Sequence, residues 1–142
     1  MSDHLQFLAR QVTFGRLAFG PGERRKGVVD HIEQELEEIA ACDTAEARAE
    51  EWVDVVLLSQ DGLLRAVREA LRKQFEPFAH EAIAHKGDRI IARFGEPTAD
   101  YVAECALKMI TAKRDKNELR EWDDWRVVGE DVAVNHKEGS HD

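Results

Sequence analysis

The sequence predicts an all-α fold, an antiparallel bundle of about four principal helices with no sheet. Charged residues make up 35% of the 142-residue chain, above the ordinary share of about a quarter, which is typical of helical surface. The chain has only three prolines, so long helices can form between them. Alternation of β-branched residues, the usual mark of a strand, is confined to a few residues within 127–134.

The helical segments lie between breakers and caps, and we predict them at residues 4–12, 23–42, 45–75, 78–94 and 99–121. The first is short and belongs to an N-terminal arm and loop, residues 1–22, in which residues 13–22 (TFGRLAFGPG) form the loop. Thr44 and Thr98 are the expected N-caps of two long helices. An irregular tail over 127–142 completes one predicted domain of residues 1–142.

Composition excludes several classes of protein. The net charge of −9, from 29 acids against 20 Lys and Arg, disfavours a nucleic-acid-binding face. Cys42 and Cys105 lack CxxC spacing, which excludes a zinc finger or disulfide scaffold. The longest apolar run, about Val55 to Leu58, is far shorter than a membrane span, and the N-terminus lacks a signal-peptide core. We therefore expect a cytoplasmic protein without nucleic-acid or membrane partners.

The helix predicted at 23–42 has an apolar stripe and an acidic boundary strip. At 100° per residue, the apolar residues that share its core face are Val28, Val29, Ile32, Leu36 and Ile39. His31, Glu35 and Glu38 lie along the edge of that stripe, whereas Glu33 and Glu37 point to solvent. The edge position leaves two interpretations of Glu35 open, an ordinary solvated acid and a functional carboxylate.

The segment 52–58 of the next helix is apolar except for Asp54, so hydrophobic residues nearly encircle it and predict a central helix. Glu51, Asp54 and Asp61 nevertheless share one side of it. Carboxylates in such surroundings need a cation. A salt bridge to Arg65 is one candidate, and a metal ion, which explains Glu51 and Asp54 together, is the better one.

Together the two helices carry the pattern Glu35-x-x-Glu38 and Glu51-x-x-Asp54. Residues three apart share a helical face, and the short turn near Asp43 makes the helices antiparallel neighbours. The two acidic pairs can then face each other. Oxygen-rich sites of this kind suit Mg²⁺ or Mn²⁺. The chemistry indicated is metal-assisted transfer at a polyphosphate.

A basic counterpart lies near the end of the last helix. Lys113, Asn117 and Arg120 follow i, i+4, i+7 spacing and could hold a phosphate chain, although a charged helix end is the ordinary alternative. Trp122 and Trp125 either stack on a base or pack as anchors.

The N-terminal loop and His31 each leave two interpretations open. Phe14 and Phe19, in the predicted loop of 13–22, either close over a base as a lid or anchor the loop to the core. His31 either orders a metal-bound water or caps Glu35, or it forms an ordinary surface pair with that acid.

Three stretches, within about 13–62 and 113–136, resemble the all-α nucleoside triphosphate pyrophosphohydrolases (MazG-like proteins), and most closely the phage and bacterial MazZ-like dATP/dGTP branch. They are Thr13-Phe14-Gly15 followed by Gly27 to Ile39, Glu50 to Val56 with Asp61-Gly62, and Lys113-x-x-x-Asn117-x-x-Arg120-x-Trp122-x-Asp124-Trp125-Arg126. The chain departs from relatives at Asp123, where many have Pro, at Gln34, where broader MazG proteins have Glu, and in a longer segment from about 70 to 100.

The resemblance implies hydrolysis of dGTP and dATP to the monophosphate and pyrophosphate. It implies two or three Mg²⁺ ions, replaceable by Mn²⁺, held by the catalytic acids Glu35, Glu38, Glu51 and Asp54. It implies substrate binding by Lys113, Asn117, Arg120, His31, Phe14 and Trp122, and assembly as a dimer or tetramer. In phages that use 2-aminoadenine, such an enzyme removes dATP and supplies dGMP.

The alternatives to this function keep the helical fold. One is a pyrophosphohydrolase for another nucleotide, such as dUTP or a damaged nucleotide. The others are a non-catalytic nucleotide-binding module and a structural interaction protein.

Overall fold

The structure, a computed structural model, describes residues 2–137 and is largely helical. Four helices follow one another along the chain: α1 (Asp3–Phe19), α2 (Arg25–Ala41), α3 (Ala45–Phe75) and α4 (Ala99–Leu119). The predicted helical fold class is confirmed. The chain divides into two compact units between Ala106 and Leu107. The single domain over 1–142 stays a prediction.

The helices α2 and α3 form the hairpin that the sequence predicts. Three residues, 42–44, separate them, which makes them antiparallel neighbours in contact along their length. The hydroxyl of Thr44 accepts a hydrogen bond from the backbone N–H of Ala47 (3.1 Å), so the predicted N-cap is present. The last turn of α3 ends at Phe75, before Pro77.

Helix α1 is longer than predicted, because it continues through residues 13–19, where we expected a loop. Leu8, Val12 and Gly15 follow helical spacing and are buried. Their packing outweighs the low helix propensity of glycine. The helix ends at Gly20, whose φ of +95° few other residues tolerate.

The predicted helix at 78–94 and the predicted absence of a sheet are both wrong. After a short 3-10 turn at Glu76–Phe78, the chain forms β1 (Ala84–Lys86), β2 (Arg89–Arg93) and β3 (Glu96–Pro97). The strands pair antiparallel in the order β1-β2-β3.

Two tight turns explain why this segment is a small sheet. Lys86 pairs with Arg89 around Gly87, which has a φ of +61°. Arg93 pairs with Glu96 around Phe94 and Gly95, whose φ values are +49° and +78°. Two successive positive φ values are what a two-residue type I′ hairpin turn requires.

The core of the first unit draws residues from all its major elements. Buried apolar side chains come from α1, α2, α3, β2 and the start of α4, and they include Leu8, Val28, Leu64, Ile91 and Val102. Throughout residues 2–137, each helix is too short or too polar to cross a bilayer.

Part of the predicted core is exposed. Val29 and Leu36 of α2 are 52% and 44% exposed, although both lie on the stripe assigned to the core. In the segment 52–58 of α3, Leu58 alone is buried. We predicted that this segment would be central in the bundle, but most of it is exposed in the single chain. A helical wheel identifies an apolar face but not what covers it.

Helix α4 begins as predicted, with the hydroxyl of Thr98 accepting a hydrogen bond from the N–H of Tyr101 (3.2 Å). It ends at Leu119, two residues before the predicted limit. Beyond it, Trp122 pairs with His136 in an isolated antiparallel bridge. The predicted irregular tail is described only as far as residue 137; its last residues, 138–142, lie outside the described part.

Candidate active site

Three of the predicted acidic residues meet across the α2–α3 hairpin. Glu35 and Glu38 lie one turn apart on α2, and Glu51 lies on the facing side of α3. One carboxylate oxygen from each lies within 4.8 Å of the others. Such closeness follows from the three-residue turn, which places the last turns of α2 beside the first turns of α3.

The crowding of these acids raises the pKa values of Glu51 and Glu35. The pKa of Glu51 is raised to about 7, first by its hydrogen bond with Glu35, then by that with Glu38 and by desolvation. For Glu35 the hydrogen bond with Glu51 lowers the pKa, but desolvation and the neighbouring Glu38 outweigh it, so the net shift is upward. One oxygen of Glu35, Oε2, is buried without a hydrogen-bond partner.

These observations fit a divalent cation. Three hard oxygen donors converge, they repel one another when ionised, and one of them has an unsatisfied buried oxygen. A cation between them would replace the shared protons and remove the repulsion. We name Glu35, Glu38 and Glu51 the carboxylate cluster.

Asp54 lies outside the carboxylate cluster but lines the same cavity as Glu35. Its charge is among those that raise the pKa of Glu35, so it belongs to the same electrostatic environment. Asp61 differs. Its carboxylate pairs with Arg65 (2.9 Å), so Arg65 is the cation for Asp61 rather than for Asp54.

A cavity of about 540 Å³ begins beside Glu35, large enough for a small-molecule ligand. Its apolar wall includes Phe7, Phe14 and Phe19, all carried by α1. The Phe14 and Phe19 rings meet edge to face, with centroids 6.3 Å apart. Because both residues are helical, the interpretation of 13–22 as a flexible lid loop is wrong for 13–19.

His31 joins this aromatic wall to the carboxylate cluster. Its ring meets the Phe19 ring edge to face at 6.2 Å, and its Nε2 lies 3.5 Å from Oε1 of Glu35. The i,i+4 pair of His31 with Glu35 is therefore present, and both residues line the cavity. A role for His31 in ordering a metal-bound water stays a prediction.

Arg65 fixes the wall of the cavity to α3. Its guanidinium donates hydrogen bonds to Asp61 and to the backbone carbonyls of Gly15 and Gly20 (2.9 Å each), and also to that of Gly22. The carbonyls at the end of α1 and in the following loop thereby find a donor. Arg65 and Asp61 are both buried, at 6% and 5% exposure.

The basic residues predicted to bind substrate lie in the second unit. Arg120 donates a hydrogen bond to the side-chain oxygen of Asn117 (2.9 Å), and the indole N–H of Trp122 donates to the backbone carbonyl of Asn117 (3.0 Å). Lys113 is exposed on α4. Helix α4 ends at Leu119, so Arg120 lies one residue beyond it and remains hydrogen-bonded to Asn117.

Phe7, Gln11 and the role of Arg65 were not predicted from the sequence. Phe7, Gln11 and Phe14 follow i, i+4, i+7 spacing and line one cavity. That spacing was available in the sequence, but the assumed break at residue 13 concealed it.

A model of the family described as dATP/dGTP pyrophosphohydrolase matches residues 8–93. The match includes the carboxylate cluster, Asp54, Phe14 and Phe19, and it ends before the basic residues of the second unit. No curated protein and no solved structure matches the chain. Since the family model covers more than half of the sequence, the protein belongs to the dATP/dGTP pyrophosphohydrolases and is an enzyme of the nucleoside triphosphate pyrophosphohydrolase class.

Proposed function

We propose that the protein hydrolyses dGTP and dATP to the monophosphate and pyrophosphate in a reaction that depends on Mg²⁺. The observation that carries the proposal is the carboxylate cluster beside an aromatic-walled cavity, which Glu35 lines. The cluster suits the metal of a polyphosphate site, and the wall suits a flat base. The family match supports the same reaction.

The proposed metal ligands are Glu35, Glu38, Glu51 and Asp54, which would hold two or three Mg²⁺ ions, with Mn²⁺ as a substitute. The ions supply charge neutralisation at the phosphates and a more acidic water. The chain supplies the arrangement: two helices hold the carboxylates in place, and His31 keeps Glu35 oriented by its contact at 3.5 Å.

The proposed substrate-binding residues are Phe14 and His31 in the first unit and Lys113, Asn117, Arg120 and Trp122 in the second. The aromatic ring of Phe14 offers a stacking surface, and it is 61% exposed and thus accessible to a base. Lys113 and Arg120 carry the positive charge that a leaving pyrophosphate needs. The roles of the second-unit residues are supported by the helical spacing of Lys113, Asn117 and Arg120 and by the sequence resemblance.

We also propose a homo-oligomer, either a dimer or a tetramer. The support is the apolar surface that one chain leaves uncovered on α2 and α3, comprising Val29, Leu36, Trp52, Val53 and Val56. Sedimentation of the wild type and of Trp52→Glu tests this. A wild type that sediments as a monomer at micromolar concentration would contradict it.

The biological setting suggested by the resemblance is a phage-infected bacterial cytoplasm. Removal of dATP together with release of dGMP would suit a nucleotide pool serving 2-aminoadenine DNA. This role is a proposal that depends on the reaction being confirmed first.

The decisive experiment incubates the purified protein and Mg²⁺ with each dNTP and NTP separately and resolves the products by ion exchange. Monophosphate and pyrophosphate, chiefly from dGTP and dATP, are expected. Orthophosphate would contradict the bond that we propose is broken. Preference for dUTP or a damaged nucleotide would change the substrate, and no turnover by folded protein would indicate a binding module.

Single substitutions test which acids are the metal ligands. Glu38→Gln should lower kcat/KM by at least on the order of 100-fold, since it removes a ligand from the cluster. Asp54→Asn should abolish turnover and keep the helix content. Glu37→Gln is the matched control, because Glu37 is an exposed acid on the same helix. Mg²⁺-dependent activity retained in Asp54→Asn would remove that residue from the site.

A further inference from the structure

Gln11, one of the residues that line the cavity, has a buried polar atom without a hydrogen-bond partner. The side-chain nitrogen of Gln11 donates a hydrogen bond to the backbone carbonyl of Leu57 on α3 (2.5 Å). A carbonyl only accepts, so the amide nitrogen must face Leu57 and the amide oxygen must face away. That oxygen, Oε1, is buried and has no hydrogen-bond partner.

The position of Gln11 indicates what this oxygen could bind. Gln11 lies on α1 between Phe7 and Phe14, and all three side chains line the cavity that begins beside Glu35. A flat ring held against the phenylalanines would bring its edge to the amide oxygen. A buried acceptor without a donor is unfavourable, so the free site is poised for a ligand that carries an N–H group.

We propose that Gln11 is the residue that reads the purine, and that its amide oxygen accepts a hydrogen bond from the N–H groups on the Watson–Crick edge of the base. The inference rests on the proposed function and deepens it. Adenine offers its 6-amino group at that edge, and guanine offers N1–H and its 2-amino group. One fixed acceptor can therefore serve both substrates, while the contact of Gln11 with Leu57 keeps the acceptor in place.

The test compares dATP with 2′-deoxynebularine triphosphate, whose purine has no exocyclic amine and no N–H on this edge. The wild type should prefer dATP by roughly tenfold in kcat/KM, the effect of leaving a buried acceptor unpaired. In Gln11→Met the new side chain is similar in length and apolar. This variant should lower kcat/KM for dATP by roughly tenfold and change kcat/KM for the analogue by less than about threefold. The preference should then disappear.

Gln60→Met is the matched control. Gln60 also has a buried side-chain oxygen without a partner, but it is not among the residues that line the cavity. It should keep the preference for dATP. Gln11→Ala, as a second variant, should abolish the preference as Gln11→Met does. Equal losses for both nucleotides in the Gln11 variants, or an unchanged preference, would overturn the assignment.

Calorimetric binding of dAMP and 2′-deoxynebularine monophosphate separates this inference from the reaction. If the wild type hydrolyses neither triphosphate, the proposed function fails, yet tighter binding of dAMP that Gln11→Met removes would still support Gln11. Equal binding of both monophosphates, or binding of neither, would overturn the role of Gln11.

Discussion

Replacement of Arg65 by methionine should lower the free energy of unfolding by about 3–5 kcal/mol, the range for breaking a buried ion pair from one side. The side chains of Arg65 and Asp61 are only 6% and 7% exposed. Arg65→Met leaves the Asp61 carboxylate buried without a counter-charge. The carbonyls of Gly20 and Gly22 lose a donor too, but both lie nearer to solvent, so water can replace it. The carbonyl of Gly15, which is buried, loses its hydrogen bond from Arg65 as well. The loss therefore comes from Asp61 and from Gly15.

Urea unfolding followed by circular dichroism measures the effect. Arg72→Met is the control, because the Arg72 side chain is 51% exposed and pairs with Glu96 at the surface, so its removal should lower the stability by less than about 1 kcal/mol. Asp61→Asn combined with Arg65→Met should recover part of the loss, because the buried charge is gone. A loss below about 1 kcal/mol for Arg65→Met would refute the reasoning.

Without divalent ions, the stability should fall as the pH rises from 4.5 to about 7, because the folded protein keeps a proton on Glu51 that the unfolded chain releases. Thermal melts measure this fall, and Mg²⁺ should suppress it. A melting temperature that does not change with pH would contradict the prediction. Gly15→Ala should lower the free energy of unfolding by about 1–3 kcal/mol in urea titrations, since the new Cβ would lie 2.4 Å from the Asp61 carboxylate, which Arg65 holds in place. Gly62→Ala, whose Cβ would meet only a Val28 methyl group, should lower it much less. Thr44→Ala should lose about 1 kcal/mol in urea with the cap of α3, and unchanged stability would show that the cap contributes nothing.

The α2–α3 hairpin was predictable because its signals are local. Thr44 caps α3, the apolar spacing is helical on both sides, and a three-residue turn permits one antiparallel arrangement. The meeting of Glu35, Glu38 and Glu51 follows from that arrangement, without knowledge of the remaining fold. Spacing and wheel positions thus singled out these three acids together with Asp54, which lies outside the carboxylate cluster.

The elements that the sequence analysis missed depend on distant contacts. Residues 13–19 are helical because Gly15 and its neighbours pack on α3, where Arg65 binds them across 50 positions of sequence. The turn at Phe94 requires a positive φ that phenylalanine rarely adopts, so the local sequence did not predict a turn there. The exposure of Trp52 could not be predicted, because a helical wheel does not show which elements pack against the helix. Propensity is a weak guide wherever tertiary packing decides.

The short turn between α2 and α3 also has a kinetic consequence. Contacts between helices joined by three residues are local, and local contacts form early in folding. The carboxylate cluster lies within this hairpin, so the chain meets the repulsion of its own acids before the other elements have packed. A divalent ion in the refolding buffer would act on that early step. It should raise the folding rate as well as slow unfolding, so that the metal assists assembly of the fold before it serves the reaction.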